Sequence, residues 1–259
     1  MDNTKKIIGL IIALIMFAAL IAGATYAVLQ ATVNTTNQTY NTTSLCFLVD
    51  YNINNVDNSQ DITGTLFPSG TIAKGLSGRV GLKRNDDCPL NGIGTLKLHI
   101  NSGTSPKLMT QAASYCEDRS TLEPISGITT EEACHDEDVN GRWRGYSDPY
   151  CESTTTLEKL DYKQSSCASN GGTWITSSLS PLKYAIYDNA QLTGTPIAKN
   201  HIPSSAINSD FTLLDNIAIN DTQKYYYIYI WLDGYHTDDT YTEIEFNGQI
   251  SASATQVEN

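Results

Sequence analysis

Apolar and polar residues alternate with a period of two along much of this chain, which is the pattern of half-buried β-strands. Residues 94–100 are typical, because Leu96, Leu98 and Ile100 share one face and Lys97 lies on the other. Such patterns predict strands at residues 45–53, 78–83, 94–100, 182–187, 211–214, 225–232 and 243–256.

The segment 225–232 is apolar on both faces, so we predict that it is a central strand. Turns rich in Gly, Asn, Asp and Pro separate the predicted strands, and amphipathic helix patterns are nearly missing after residue 29. This arrangement predicts an all-β fold, an antiparallel β-sandwich.

The N-terminal residues 7–29 form one uninterrupted apolar run that follows Lys5 and Lys6. The run is long enough to cross a bilayer as a helix, and the lysines hold its start in the cytoplasm. We therefore predict a signal or transmembrane helix, which makes the rest of the chain secreted or displayed outside the cell membrane. Ala-Gly-Ala at 22–24 fits signal cleavage, whereas apolar character up to residue 29 fits a retained anchor, and both alternatives stay open.

The leader passes directly into a second alternating pattern, in which Ala27, Leu29, Ala31 and Val33 share one face. This period of two predicts a strand with one buried side. Residues 35–44 are almost wholly Asn, Thr and Gln, and they predict a polar linker.

The chain has six cysteines, all on the exported side of the predicted leader. An even number of cysteines in an oxidising compartment predicts three disulfides, although spacing alone leaves their pairing open. The residues concerned are Cys46, Cys88, Cys116, Cys134, Cys151 and Cys167.

Residues 105–178 do not fit the sandwich pattern, because they contain an internal repeat. The motifs Tyr-Cys-Glu, Thr-Leu-Glu and Gly-x-Trp occur at 115–117, 121–123 and 141–143, and again at 150–152, 156–158 and 172–174. Each copy has two cysteines of its own, so the simplest pairing keeps each bridge within one copy. The predicted bridges are Cys116–Cys134, Cys151–Cys167 and, in the sandwich, Cys46–Cys88.

The sequence therefore divides into five parts. They are a signal or anchor helix (1–29), a strand with a polar linker (30–44), the first part of the sandwich (45–104), a disulfide-stapled insertion (105–178) and the second part of the sandwich (179–259).

Asp136, Asp138 and Asn140 match the opening D-x-D-x-N-G of a calcium loop. The twelfth position of that loop is Ser147 rather than Glu, and the second copy of the repeat lacks the acidic residues. We predict no cofactor and favour an exposed acidic turn, with Ca²⁺ at these three residues as the minor alternative.

Charge and motif content argue against several functions. The net charge of −12 argues against nucleic acid as a partner, since phosphates need a basic surface. The four histidines are scattered, and the motifs of zinc hydrolases, serine hydrolases and nucleotide-binding proteins are missing, so we predict that the protein is not an enzyme. His236 lies in a polar segment, 233–239, that is more typical of a turn than of an acid/base site.

Three stretches resemble TasA/camelysin-type secreted proteins of Gram-positive bacteria. They are GATYAVL at 23–29, the strand-turn-strand pattern within 75–100 and SASATQ at 251–256. The chain departs from that family in having Leu-Gln-Ala at 29–31, where Phe-Ser-Asp is usual, and in carrying the cysteine repeats.

This resemblance implies a jelly-roll-like sandwich that forms matrix fibres, in which the N-terminal strand of one chain completes the sheet of the next. The donated face would then consist of Ala27, Leu29, Ala31 and Val33. The implied partners are further copies of the chain, together with the membrane if the leader is retained.

The preferred hypothesis is a non-enzymatic structural protein of the cell surface or biofilm matrix. One alternative is a membrane-anchored adhesin or carbohydrate-binding module that uses the insertion or the tyrosines of segment 225–232. A secreted hydrolase with an unrecognised site is the other alternative.

Overall fold

The computed structural model describes residues 31–32, 46–70, 72–176 and 179–256. The strands in these ranges are β1 (Ala31–Thr32), β2 (Phe47–Ile53), β3 (Val56–Asp57), β4 (Asp61–Leu66), β5 (Pro68–Ser69), β6 (Leu76–Arg84), β7 (Gly92–Ile100), β8 (Tyr115–Asp118), β9 (Gly141–Arg144), β10 (Tyr150–Ser153), β11 (Lys159–Leu160), β12 (Gly172–Ile175), β13 (Leu182–Tyr187), β14 (Ala198–His201), β15 (Asp210–Ile219), β16 (Lys224–Asp233) and β17 (Ile244–Gln256).

Helices in the described ranges are short. The α-helices are the single turns α1 (Glu131–Cys134) and α2 (Gln164–Cys167). The 3₁₀ turns are Ile72–Lys74, Pro106–Met109, Ala168–Asn170, Ser204–Ala206 and Asp239–Tyr241. The predicted all-β class is confirmed.

The predicted leader helix, residues 1–29, lies outside the described ranges. Within them, no helix combines the length and the apolar character needed to cross a membrane.

Five of the described strands form one antiparallel sheet, sheet I. β17 lies beside β7, which lies beside β15. On its other side, β17 pairs first with β4 and then, near its end, with β1. The long strand β17 is therefore interior in this sheet, as is β7.

Seven of the described strands form sheet II, in the order β14-β13-β16-β6-β2-β3, with the two-residue β5 parallel to the end of β16. The other pairs are antiparallel. β16 contains the predicted central strand and lies between β13 and β6, so that prediction is confirmed.

The two sheets enclose one hydrophobic core, which makes the fold a β-sandwich. Alternate residues of β16, among them Ile228 and Ile230, belong to the same buried cluster as Leu98 of β7 and Phe246 of β17. Burying each such side chain stabilises the fold by about 1.5 to 3 kcal/mol.

Four strands of the two sheets were not predicted, and two of them, β3 and β5, have only two residues each. β4 has the sequence DITGTL, which offers only Ile62 and Leu66 to the core and contains Asp61 and Gly64, residues of low strand propensity. β14, with the sequence AKNH, is a polar edge strand of sheet II.

Candidate functional site

The two copies of the repeat share an antiparallel strand pair and a short helix. In the first copy, β8 pairs with β9 and places Cys116 opposite Trp143. In the second, β10 pairs with β12 and places Cys151 opposite Trp174. Each copy therefore contains two antiparallel strands and a one-turn helix, and the second copy adds β11 on the other side of β10.

A disulfide joins the first strand of each copy to its helix, Cys116 to Cys134 of α1 and Cys151 to Cys167 of α2. The third bridge, Cys46–Cys88, ties the start of β2 to the turn after β6. All six cysteines are paired as predicted, and three disulfides indicate an oxidising environment.

The repeated Gly-x-Trp motif has a steric cause. A Cβ on Gly141 would lie 2.5 Å from the sulfur of Cys116, and one on Gly172 would lie 2.4 Å from the sulfur of Cys151. Because carbon and sulfur do not approach this closely, each bridge requires glycine at this position.

The two copies differ in how they bury the glutamate that follows their first cysteine. In the first copy, Glu117 is buried and pairs with Arg142 and Arg144 of the neighbouring strand β9. In the second copy, Glu152 instead contacts Lys183 and His201, which both lie on sheet II. Glu152 therefore joins the insertion to the outer face of the sandwich.

We refer to Glu152, Lys183, His201 and Asp233 as the charge cluster. Lys183 lies on β13 and is 0% exposed, which is rare for a lysine. Its Nζ donates to Oδ2 of Asp233 at 2.6 Å, to Oε2 of Glu152 at 3.0 Å and to the carbonyl oxygen of Leu157 at 2.5 Å. The ammonium group thus has an acceptor for each of its three protons.

His201, on the edge strand β14, contacts Glu152 from the side opposite the insertion. Its Nδ1 lies 2.5 Å from the carbonyl oxygen of Ser180, and its Nε2 lies 2.9 Å from Oε2 of Glu152. Both neighbours of the ring are hydrogen-bond acceptors. The cluster therefore brings one lysine and one histidine against two carboxyl groups.

The pKa of Glu152 reflects these contacts. Burial alone would raise it, but the hydrogen bond from His201 and the charges of Lys183 and His201 outweigh burial and lower the pKa to about 2. The hydroxyl of Tyr150 also donates to Glu152, at 2.9 Å. Glu152 is consequently a carboxylate at any physiological pH.

His236 lies beside the charge cluster and is 1% exposed. Its Nδ1 donates to the carbonyl oxygen of Tyr146 at 2.7 Å, and its ring centre lies 4.2 Å from that of Tyr150. Burial lowers the pKa of His236, so the neutral ring is favoured. The polar segment 233–239, which was predicted to be a turn, therefore contains a buried neutral imidazole, His236. Asp233 of the charge cluster is the first residue of this segment.

The acidic residues of the calcium-like motif lie on the surface of the first copy. Asp136, Asp138 and Asn140 are all exposed. Oδ1 of Asp136 accepts a hydrogen bond from the backbone of Asp138, and the amide of Asn140 donates to Ser120. In the described part of the chain, no group of three or more His, Cys, Asp or Glu side chains is arranged to hold a metal.

Of the predicted N-terminal strand, only Ala31 and its neighbour Thr32 are described; Ala27, Leu29 and Val33 lie outside the described residues. The backbone of Ala31 is opposite Ala254 and that of Thr32 is opposite Ser253, in antiparallel register. The N-terminal segment thus occupies an edge of sheet I.

The tyrosines of β16 that point away from the core lie on the outer face of sheet II. Tyr225 is 36% exposed, with the guanidinium carbon of Arg79 lying 4.8 Å from its ring centre. Tyr227 and Tyr229 pack against a second hydrophobic cluster, which contains Trp231. Most of this aromatic face is therefore covered.

Comparison of the chain with protein-family models, with curated proteins and with solved structures finds no match in any of the three.

The charge cluster was not predicted from the sequence. Two signals for it were present: a lysine within the apolar strand LKYAIY, and the glutamate repeated after the first cysteine of each copy.

Proposed function

We propose that this protein is an extracellular structural subunit, without enzymatic activity, that assembles by exchanging its N-terminal strand between copies. The observation that carries the proposal is the edge of β17. β17 has β7 on one side and, up to residue 249, β4 on the other. Beyond that point, at residues 251–256, the only described strand on the second side is β1, Ala31 and Thr32. An edge completed by a short terminal segment is a site for strand addition.

Exchange preserves the contacts of the closed monomer, since a neighbouring copy carries the same segment. The thirteen residues 33–45 connect Thr32 to Cys46. A chain of this length spans at most about 45 Å, which is enough to reach an adjacent subunit. If the leader is retained, it tethers the segment to the membrane and restricts the exchange.

The environment of the protein also supports this proposal. The three disulfides suit an oxidising location, and the net charge of −12 keeps separate copies soluble until a specific contact forms. We assign the chain to the outer side of the cell membrane or to the secreted fraction. The jelly-roll-like topology and the fibre role follow from the resemblance to TasA/camelysin-type proteins.

Negative-stain microscopy and sedimentation of the full chain test strand exchange. The paired variant Ala31→Pro/Thr32→Pro removes both backbone donors of β1, and Thr36→Pro in the polar linker is the control. We expect fibres from the natural chain and the control, and monomers from the paired variant. Equal assembly of all three, or none from the natural chain, would exclude exchange.

Carbohydrate binding is the second candidate function, and the exposed ring of Tyr225 favours it. An exposed tyrosine beside the Arg79–Asp50 ion pair offers both a stacking surface and hydrogen-bonding groups for a sugar. Retention on a glycan array that is lost in Tyr225→Ala, without any assembly, would favour this function over the fibre.

A further inference from the structure

The geometry around Lys183 is that of a reactive pair. Lys183 of β13 is opposite Trp231 of β16, so Asp233 lies two residues further along the neighbouring strand and on the same face. Nζ of Lys183 is 2.6 Å from Oδ2 of Asp233. Because a carbon–oxygen bond is about 1.2 Å long, the carboxyl carbon is at most about 3.8 Å from the amine. Reacting atoms in near-attack arrangements are about 3 to 3.5 Å apart.

Water is excluded from this pair by the second repeat. Lys183, Asp233 and Glu152 are 0%, 3% and 5% exposed, respectively. Taking an ammonium and a carboxylate out of water is costly even when they are paired. A reaction that turns the two charged groups into one neutral group removes that cost.

We propose that Lys183 and Asp233 form an intramolecular isopeptide bond, which links the central strand β16 covalently to β13. The bond joins Nζ of Lys183 to the carboxyl carbon of Asp233, and one carbon–oxygen bond of that carboxyl group breaks. An ammonium and a carboxylate become an amide and one water molecule, so the reaction requires neither an oxidant nor another substrate. The proposal does not depend on strand exchange.

Glu152 transfers the protons of this reaction. Its Oε2 lies 3.0 Å from Nζ, within hydrogen-bond reach of the proton that the amine must lose before it attacks. The two protons removed from the nitrogen pass through Glu152 to the departing oxygen of Asp233. Glu152 ends as the carboxylate that it was at the start, and the third proton stays on the amide nitrogen.

The contacts of the cluster favour Asp233 over Glu152 as the partner of the lysine. His201 contacts both carboxylate oxygens of Glu152, and Tyr150 donates to one of them, so this side chain is held in place. The contact of Nζ with Asp233 is also the shorter of the two.

Intact mass spectrometry of the full chain tests the proposal. The disulfides are reduced first, and the mass is compared with that calculated from the determined N-terminus. We expect a deficit of one water molecule, and a cross-linked fragment that contains Lys183 and Asp233 after proteolysis. A natural chain with its full calculated mass would overturn the proposal.

Three near-isosteric variants make the test specific. Lys183→Arg should have the full mass. Asp233→Asn should lose ammonia instead of water, because the same attack then expels an amide nitrogen. In Glu152→Gln, we expect bond formation during refolding to be about a hundredfold slower. An unchanged rate in that variant would overturn the role of Glu152.

The neighbouring Asp233–Gly234 peptide offers the main competing source of dehydration, a succinimide formed by attack of the Gly234 nitrogen. That nitrogen donates to the carbonyl oxygen of Ser69 at 3.0 Å, which holds it away from the side chain. Loss of water that persists in Lys183→Arg would assign the deficit to the succinimide and overturn the isopeptide bond.

Discussion

Gly172 lies directly against Cys151, and a Cβ on residue 172 would be 2.4 Å from the cysteine sulfur. Gly141 has the same relationship to Cys116 in the first copy. The repeated glycine is therefore required by the disulfide beside it, and the repeat is a unit in which the bridge and the second strand are packed together.

Replacing Gly172 with alanine should destabilise the second repeat. The added methyl group overlaps the Cys151–Cys167 bridge, and overpacking of this kind costs about 1 to 3 kcal/mol. Gly103→Ala is the matched control, because a Cβ there meets no atom within 4 Å. Thermal unfolding of both variants checks the prediction, and equal melting temperatures would contradict it.

Leu122 and Leu157 occupy equivalent positions in the two copies, with φ angles of 61° and 59°. Such left-handed conformations are unfavourable for leucine and more readily adopted by asparagine. Leu122 is 63% exposed, so Leu122→Asn should raise the free energy of unfolding by up to about 1 kcal/mol.

The same substitution should have the opposite effect in the second copy. Leu157 is buried and packs in a cluster with Trp231, so Leu157→Asn should lower the free energy of unfolding by at least about 2 kcal/mol. Urea unfolding of both variants provides the comparison. Changes of the same sign would mean that backbone conformation, rather than burial, dominates at both positions.

Glu152 should make the fold sensitive to acid. Its pKa falls from an ordinary value of 4.5 to about 2 on folding, so its contribution is complete above about pH 4.5 and is lost as the pH falls towards 2. The contribution is on the order of 3 kcal/mol. The effect of Glu152→Gln on the unfolding free energy is measured from pH 6 to pH 2 in the Lys183→Arg background, which keeps a cation at residue 183 and forms no isopeptide bond. This effect should shrink across the window. A difference that does not vary with pH would contradict the assignment.

Peptide mapping of the unreduced protein should recover three bridges, Cys46–Cys88, Cys116–Cys134 and Cys151–Cys167. Each bridge within a repeat closes a short loop and should stabilise its copy by about 3 kcal/mol, since the copies bury little apolar surface of their own. A bridge that joins the two copies would show that they are not separate units.

The sequence predicts the sandwich well because its core strands are marked by alternation. Residues 94–100, for example, fall within β7, and the doubly apolar segment 225–232 falls within β16. The disulfide pairing was also predictable, because the repeat assigns two cysteines to each copy. β4 was missed because Gly64 and its polar neighbours give the strand a weak pattern.

The charge cluster was not predictable in the same way. Glu152, Lys183 and Asp233 are separated by 31 and 50 residues along the chain, and no local pattern connects them. They meet because the second repeat folds over the outer face of sheet II, which is a tertiary contact. Two local signs point to such a contact: Lys183 in an otherwise apolar strand, and the glutamate repeated after the first cysteine of each copy.

Cross-linking between two tagged populations tests strand exchange most directly. Ala31 and Ala254 are opposite each other in the strand pair, so Ala31→Cys in one population and Ala254→Cys in the other should form a disulfide between chains. Thr193→Cys, placed in an exposed loop, replaces Ala254→Cys in the control mixture. The account predicts covalent heterodimers in the first mixture and none in the control. It would be contradicted if the first mixture stayed unlinked while the double variant, with both cysteines in one chain, closed only on itself.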